Sequence, residues 1–228
     1  SSFTRPDAEG MVISVGSPWR VMMGVRPYMI STSMSNETLS ITIGEVQRSF
    51  ELIYISRHGY GVPGTSELAL FHRVRQFPSR DWSQTTQDYE TRVLPLAIPM
   101  FVNALTGRKF DVVRRPPSTR DDAVPYQRAV TEALRIPRDW SKDFTRIVDV
   151  RAGCTRSCDA LYSALSFVAP AEISEVESVL MVDESFTYGT TACAVWRRLL
   201  EAGLPSACNF TVAAPLRIIP SPAISQTT

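Results

Sequence analysis

Apolar positions along the chain change rhythm near its middle. Before about residue 75 they form short runs at 11–15, 21–25 and 50–55, separated by Gly and Pro, a pattern that predicts strands. From Phe110 onward short apolar runs alternate with segments of helical period. The run 110–113 is followed by the Pro116-Pro117 break, and Asp121 and Asp122 offer N-caps to a periodic segment over 123–134. Residues 145–150 predict a second strand, and the spacing of Leu161, Ala164 and Leu165 predicts a helix over 159–167. A third strand is expected over 178–182. The next helix, over 190–202, gathers Ala192, Val195, Trp196, Leu199 and Leu200 on one face and stops at Gly203. A fourth strand over 209–216 closes the series. This alternation predicts an α/β fold with a parallel, doubly wound sheet. Its core lies in residues 108–228, and residues 1–107 form a strand-rich N-terminal elaboration. In such sheets ligands bind beyond the carboxyl ends of the strands, so the strand-to-helix turns carry the candidate chemistry.

Composition narrows the classes. The 44% hydrophobic fraction of the 228 residues suffices for a core. With 24 basic against 23 acidic residues, the formal charge is +1, and no global field recruits nucleic acid or anionic lipid. Only Lys109 and Lys142 are lysines, so 22 of the 24 basic residues are arginines, whose planar forks suit phosphate. Trp82, Trp140 and Trp196 stand without basic interleaving, which predicts core or hood residues and no nucleic-acid surface. The first twenty residues hold Arg5, Asp7 and Glu9 and no apolar signal core. Leu94–Leu105, the most apolar stretch, falls well short of the roughly 20 residues a membrane-spanning helix needs. A cytoplasmic protein without a membrane partner is the expectation. Four cysteines are too sparse for a disulfide scaffold, and only Cys154 and Cys158 are close in sequence, so buried thiols are expected over a zinc site.

One strand-to-helix turn stands out, that of residues 179–191. Four apolar residues, Val179 to Val182, end in Asp183 and Glu184; Ser185-Phe186-Thr187-Tyr188-Gly189 then leads into Thr190 and Thr191. Two adjacent carboxylates at a strand end can accept hydrogen bonds from two neighbouring ribose hydroxyls. Gly189 allows close backbone approach, the free N–H groups of the following helix face an anion, and Thr187, Thr190 and Thr191 add hydroxyl donors. The plainer reading is a solvated strand end with threonines capping the helix. The stretch resembles the phosphoribosyl pyrophosphate motif of type I phosphoribosyltransferases: four apolar residues, two acids, a short variable run, and Thr-x-Gly-x-Thr at Thr187, Gly189 and Thr191. Tyr188 stands where that family usually has a small residue, and Ser185-Phe186 replaces an aliphatic pair.

The resemblance implies that Asp183 and Glu184 hold the ribose hydroxyls, and Mg²⁺ indirectly, while Thr187, Tyr188, Gly189, Thr190 and Thr191 wrap the 5-phosphate. It implies a pyrophosphate loop at Arg114, Arg115, Ser118, Thr119 and Arg120, with Arg115 beside the acids as a catalytic group. A mobile loop carrying Arg151 and Arg156 follows, and residues 1–107 contribute a hood. Arginines and hydroxyls suit a leaving pyrophosphate, since negative charge grows there as the C1–O bond breaks. The implied reaction is Mg²⁺-dependent transfer of phosphoribose from 5-phosphoribosyl 1-pyrophosphate to a nucleobase or similar acceptor. Thr187 occupies the place of an acidic base in enzymes acting on 6-oxopurines, which leaves a pyrimidine, adenine or uncommon acceptor. Homodimers are common in the family.

Two alternatives belong to other classes. One is a nucleotide-binding regulator or effector on the same fold, of toxin or phage-defence type, which needs Asp183 and residues 187–191 but not Arg114, Arg115 and Arg120. The other is histidine phosphatase chemistry, since the strand ending Arg57-His58-Gly59 resembles the opening of those enzymes; the second histidine, His72, lies only fourteen residues on. Neither a Gly-x-Gly-x-x-Gly nor a Walker A sequence is present.

Overall fold

The structure is a computed structural model that describes residues 35–62, 68, 87, 89–117, 123–147 and 158–221. The expected strands at 11–15 and 21–25, Trp82, His72 and the Asp121-Asp122 cap lie outside the described residues.

Its frame is one mixed, mostly parallel sheet. In chain order, β1 (Ser35–Ile43) and β2 (Val46–Gly59) form an antiparallel hairpin. After a π-helical turn, Tyr89–Val93, come α1 (Leu94–Leu105), β3 (Val112–Arg114), α2 (Val124–Leu134) and β4 (Arg138–Asp139). A small antiparallel pair, β5 (Phe144–Arg146) and β6 (Leu165–Phe167), brackets α3 (Cys158–Ser163). Then follow β7 (Ser178–Val182), β8 (Ser185–Phe186), α4 (Thr190–Glu201) and β9 (Asn209–Ile219). The spatial order is β1-β2-β9-β7-β3-β4, with β8 also on β9, and every pairing in it except β1 with β2 is parallel.

Alternation along the strands divides the core between the two faces. Leu52, Tyr54, Val112, Val179, Met181, Phe210 and Val212 join the layer built on α3 and α4. Ile53, Ile55, Val113, Leu180, Val182 and Ala213 join the layer built on α1 and α2. Strands covered on both faces read as continuous apolar runs, which is why 178–182 and 209–216 stand out in the sequence. Leu94–Leu105 is the helix whose Ala97, Phe101 and Leu105 pack against the sheet, with prolines at its first turn and at Pro99. Among the described residues no helix is long and apolar enough to cross a membrane.

The expectation of a parallel sheet is met from β2 to β4, while β1 makes the sheet mixed. One expected strand belongs elsewhere. Thr145 and Arg146 pair antiparallel with Ser166 and Leu165 in the small sheet, and the strand beside β3 is instead the two-residue β4. The helix expected over 159–167 likewise ends at Ser163, because Leu165–Phe167 is drawn into that pairing and Phe144 stacks on Phe167 with ring centroids 4.2 Å apart. Trp140 and Trp196 are core residues, the latter stacked on Phe210 at 4.8 Å.

The thiol expectation is overturned: Cys158 at the start of α3 is bonded to Cys193 in the first turn of α4. Nothing in a separation of 35 residues announces this pairing, which depends on α3 and α4 packing side by side. Farther along the same interface, Arg197 and Arg198 lie over the Tyr162 ring at 3.9 and 3.8 Å from its centroid, and the Tyr162 hydroxyl bonds to Glu201. A disulfide such as Cys158–Cys193 is rare in the cytosol, which weighs against the cytoplasmic expectation. Cys208 remains a buried free thiol, its pKa pushed up to about 11 by burial and by Asp111 and Glu177. Closing a loop of this length contributes about 3–4 kcal/mol. Reductant should therefore lower unfolding stability by about that amount, and Cys158→Ser should do the same while abolishing the effect of reductant; equal urea midpoints with and without dithiothreitol would contradict the bond.

Candidate functional site

Parallel alignment brings the carboxyl ends of β2, β3, β4, β7 and β9 to one edge of the sheet. Within that edge the connections diverge. From β3 the chain passes through α2 to β4, and from β7 through α4 in the opposite direction to β9, so the helices lie on opposite faces. The ends of β3 and β7 therefore flank a topological switch point, where open α/β sheets form their binding crevices. Arg114 and Arg115 stand at one end, Asp183 and Glu184 at the other.

Why the two acids leave the sheet is visible in the neighbouring strand. Val182 pairs with Ala213 and Ser185 with Leu216, and the Asp183 N–H donates to the Ala213 carbonyl at 3.0 Å. Pro215 stands in the gap between those two pairings and has no N–H to continue the ladder. Beyond β8 the chain turns at Gly189, whose φ of 79° is left-handed and where a Cβ would approach the Phe186 ring to 3.0 Å. The left-handed φ favours glycine, and the tight approach to the ring adds to that preference. Helix α4 then starts with no side-chain cap on its first N–H groups. Thr190 is buried, Thr187 and Thr191 are half-buried, and the Tyr188 side chain is exposed, turned out of the turn.

Asp183 and Arg114 dominate the electrostatics. Arg114 is fully buried; its guanidinium lies 3.7 Å from the centroid of the Phe144 ring, and Nη2 donates to its neighbour's carbonyl on Arg115 at 2.5 Å. Nε and Nη1 have no hydrogen-bond partner among the described residues. Burial lowers its pKa to about 9, while the fields of Asp183, Asp139 and Asp143 oppose that shift. Burial and the adjacent Glu184 raise the Asp183 pKa to about 7, against hydrogen bonds from the Glu184 and Ser185 amides and the attraction of Arg114. The Glu184 N–H donates to Asp183 Oδ1 at 2.8 Å. Arg114 is thus a buried counter-charge to Asp183.

Around this pair the rest of the edge is tied down. The Arg115 N–H donates to Ser141 Oγ at 3.1 Å, and Asp139 accepts from the Ser141 N–H at 2.9 Å and from Gln127 Nε2 at 2.6 Å. Arg146 Nη2 reaches the Pro117 carbonyl at 3.1 Å. On the other face the buried Tyr89 hydroxyl donates to that of Tyr126 at 2.9 Å. Burial, then Tyr89 and Glu184, push the Tyr126 pKa well up, which places its hydroxyl in the field of the second acid. Ser118, Thr119, Arg120, Arg151 and Arg156 lie outside the described residues. His58 lies within β2, opposite Ile218.

Sequence reading did not single out Tyr126, Tyr89, Asp139 or Phe144. Tyr126 hid within an amphipathic helix, and Asp139 within a strand of two residues. The chain matches no protein-family profile and no curated protein sequence.

Among the described residues no three His, Cys, Asp or Glu side chains converge on a metal position. Asp183 and Glu184 nevertheless offer two hard oxygen donors side by side, the kind Mg²⁺ takes when phosphates and water supply the rest.

A carboxyl with a raised pKa holds its proton in the folded chain where the unfolded chain has lost it, so its contribution to stability falls as pH rises from about 4 through 7. Urea unfolding between pH 4.5 and 7.5 should show the wild type losing stability relative to Asp183→Asn across that window; parallel profiles would refute the shift.

Proposed function

We propose that the chain is a type I phosphoribosyltransferase-like protein that binds 5-phosphoribosyl 1-pyrophosphate at the carboxyl edge of its sheet and transfers phosphoribose to a nitrogen acceptor. The observation that carries the reading is the course of residues 179–191. A strand buried on both faces ends in two acids at a switch point, and a left-handed glycine then opens an uncapped helix. Strand order supports it as well, because β3, which leads into the Arg114-Arg115 turn, is the immediate neighbour of β7.

In this reading Asp183 and Glu184 accept hydrogen bonds from the ribose hydroxyls, and the turn 187–191 receives the 5-phosphate through backbone N–H groups and threonine hydroxyls. Arg115 receives the pyrophosphate. A magnesium ion carried on the diphosphate would supply charge neutralisation for the leaving group. Catalysis by the chain is then positional and electrostatic: it holds ribose and both phosphate groups still while positive charge develops at C1. The Arg114 guanidinium tunes Asp183 and makes no contact with the leaving group. The outward Tyr188 side chain leaves the backbone of the turn to the phosphate.

One observation favours a second reading. Complete burial of Arg114 takes one arginine away from the pyrophosphate side, which suits a nucleotide-binding regulator or effector that needs the acids and the turn but releases nothing. Calorimetry with 5-phosphoribosyl 1-pyrophosphate and Mg²⁺ should show binding by the wild type, weakened about tenfold or more in Asp183→Asn through loss of charged hydrogen bonds. Absence of binding by the wild type refutes the proposal. Pyrophosphate release with any base in an acceptor screen selects transfer, and binding without release across the screen selects the regulator.

A further inference from the structure

Arg217 is a charged residue on β9, immediately after the buried run from Phe210 to Leu216. It stands between Phe186 of β8 and Arg57 of β2. Its guanidinium is directed at the turn beyond β8. Nη1 donates to the carbonyls of Thr187 at 2.5 Å, Ile218 at 2.9 Å and Phe186 at 3.5 Å, and the guanidinium carbon lies 5.1 Å from the centroid of the Phe186 ring. The side chain is only 12% exposed, and Nε lies 3.6 Å from Glu37 Oε2. Glu37, on β1, is itself fixed: Oε1 accepts from the Tyr54 hydroxyl and from Arg57 Nη2, both at 2.7 Å.

Peptide geometry converts these contacts into a statement about the turn. In a planar trans peptide the carbonyl of one residue and the N–H of the next point in opposite directions. Holding the Phe186 and Thr187 carbonyls on Arg217 therefore turns the N–H groups of Thr187 and Tyr188 to the other side. Two effects follow for an anion there. The carbonyl oxygens that would repel it are drawn away, and a half-buried cation beneath the turn attracts it. A flexible turn would have to order these peptides when ligand arrives, at a cost in affinity.

We infer that Arg217 is a positioning residue for the turn 187–189, anchored by Glu37, and that it pre-orients the backbone donors that receive a phosphate monoester such as the 5-phosphate of a ribose. The inference rests on the reading of 187–191 as a phosphate turn, and it gives the β1–β2 hairpin a function: β1 supplies the anchor from the opposite side of β9. Arg217 touches no substrate in this scheme; it acts through the backbone of its neighbours.

Two measurements test it, one of them independent of any ligand. Amide hydrogen exchange of the ligand-free full chain should show peptides covering 185–191 exchanging about tenfold faster in Arg217→Gln, with β7 and the body of α4 unchanged. Calorimetry with ribose 5-phosphate should show affinity falling in the order wild type, Arg217→Lys, Arg217→Gln, with about a tenfold span and equal thermal midpoints. Glu37→Gln should shift both readouts in the same direction by less, and it carries the test if Arg217→Gln does not fold. Unchanged exchange over 185–191 in a folded Arg217→Gln or Glu37→Gln chain overturns the inference. A wild type that fails to bind ribose 5-phosphate, while Arg217→Gln still loosens the turn, refutes the phosphate reading and leaves the positioning role supported.

Discussion

A strand buried on both faces can carry polar groups only at its ends, and in this protein that constraint organises everything around β7. Val179, Leu180, Met181 and Val182 are fully enclosed between the two helical layers. The first polar side chains the chain can offer after them are Asp183 and Glu184, and they emerge at the carboxyl edge because the parallel arrangement puts the ends of β2, β9, β7, β3 and β4 there. The same constraint acts on β3, whose last residue, Arg114, is polar but remains enclosed. Arginine and acid are thus forced close together in a poorly solvated place. Burial moves both toward their neutral forms, and their mutual attraction opposes the move.

The hairpin of β1 and β2 belongs to this economy of the sheet. It extends the sheet beyond β9, brings Glu37 to the back of the turn after β8, and lets Arg217 be both half-buried and paired. Charge is then arranged in depth. Acids face the proposed ribose position, Arg114 is the buried counter-charge to Asp183, and Arg217 lies beneath the proposed phosphate turn. Arg48 and Arg108 serve other ends: the first donates to the Ser206 carbonyl, and the second forks onto Glu51 of β2. Among the described residues these arginines thus engage local partners within the fold.

Periodicity was a good guide wherever one force decided the element. The apolar run over 178–182 and the helical face of Ala192, Val195, Trp196 and Leu199 are both observed, because burial against the sheet and local spacing agree. It failed where pairing decided. Residues 145–150 look like a strand of the main sheet, but Thr145 and Arg146 found partners in β6, and the main sheet took Arg138 and Asp139, which have no strand signature at all. The link between Cys158 and Cys193 failed for the same reason: its warrant is the contact of two helices, not a spacing.

Sequence alone determined the alternation of strands and helices, the enclosed strand ending in two acids, and the glycine at position 189, since each depends on what neighbouring residues along the chain can bury or which dihedral angles they can adopt. Only the tertiary structure decided that the ends of β3 and β7 lie side by side, that Arg114 faces inward and Tyr188 outward, and that Glu37 and Arg217, 180 positions apart, form one support. Those outcomes depend on strand order and on the directions in which crossovers leave the sheet, which no local pattern encodes.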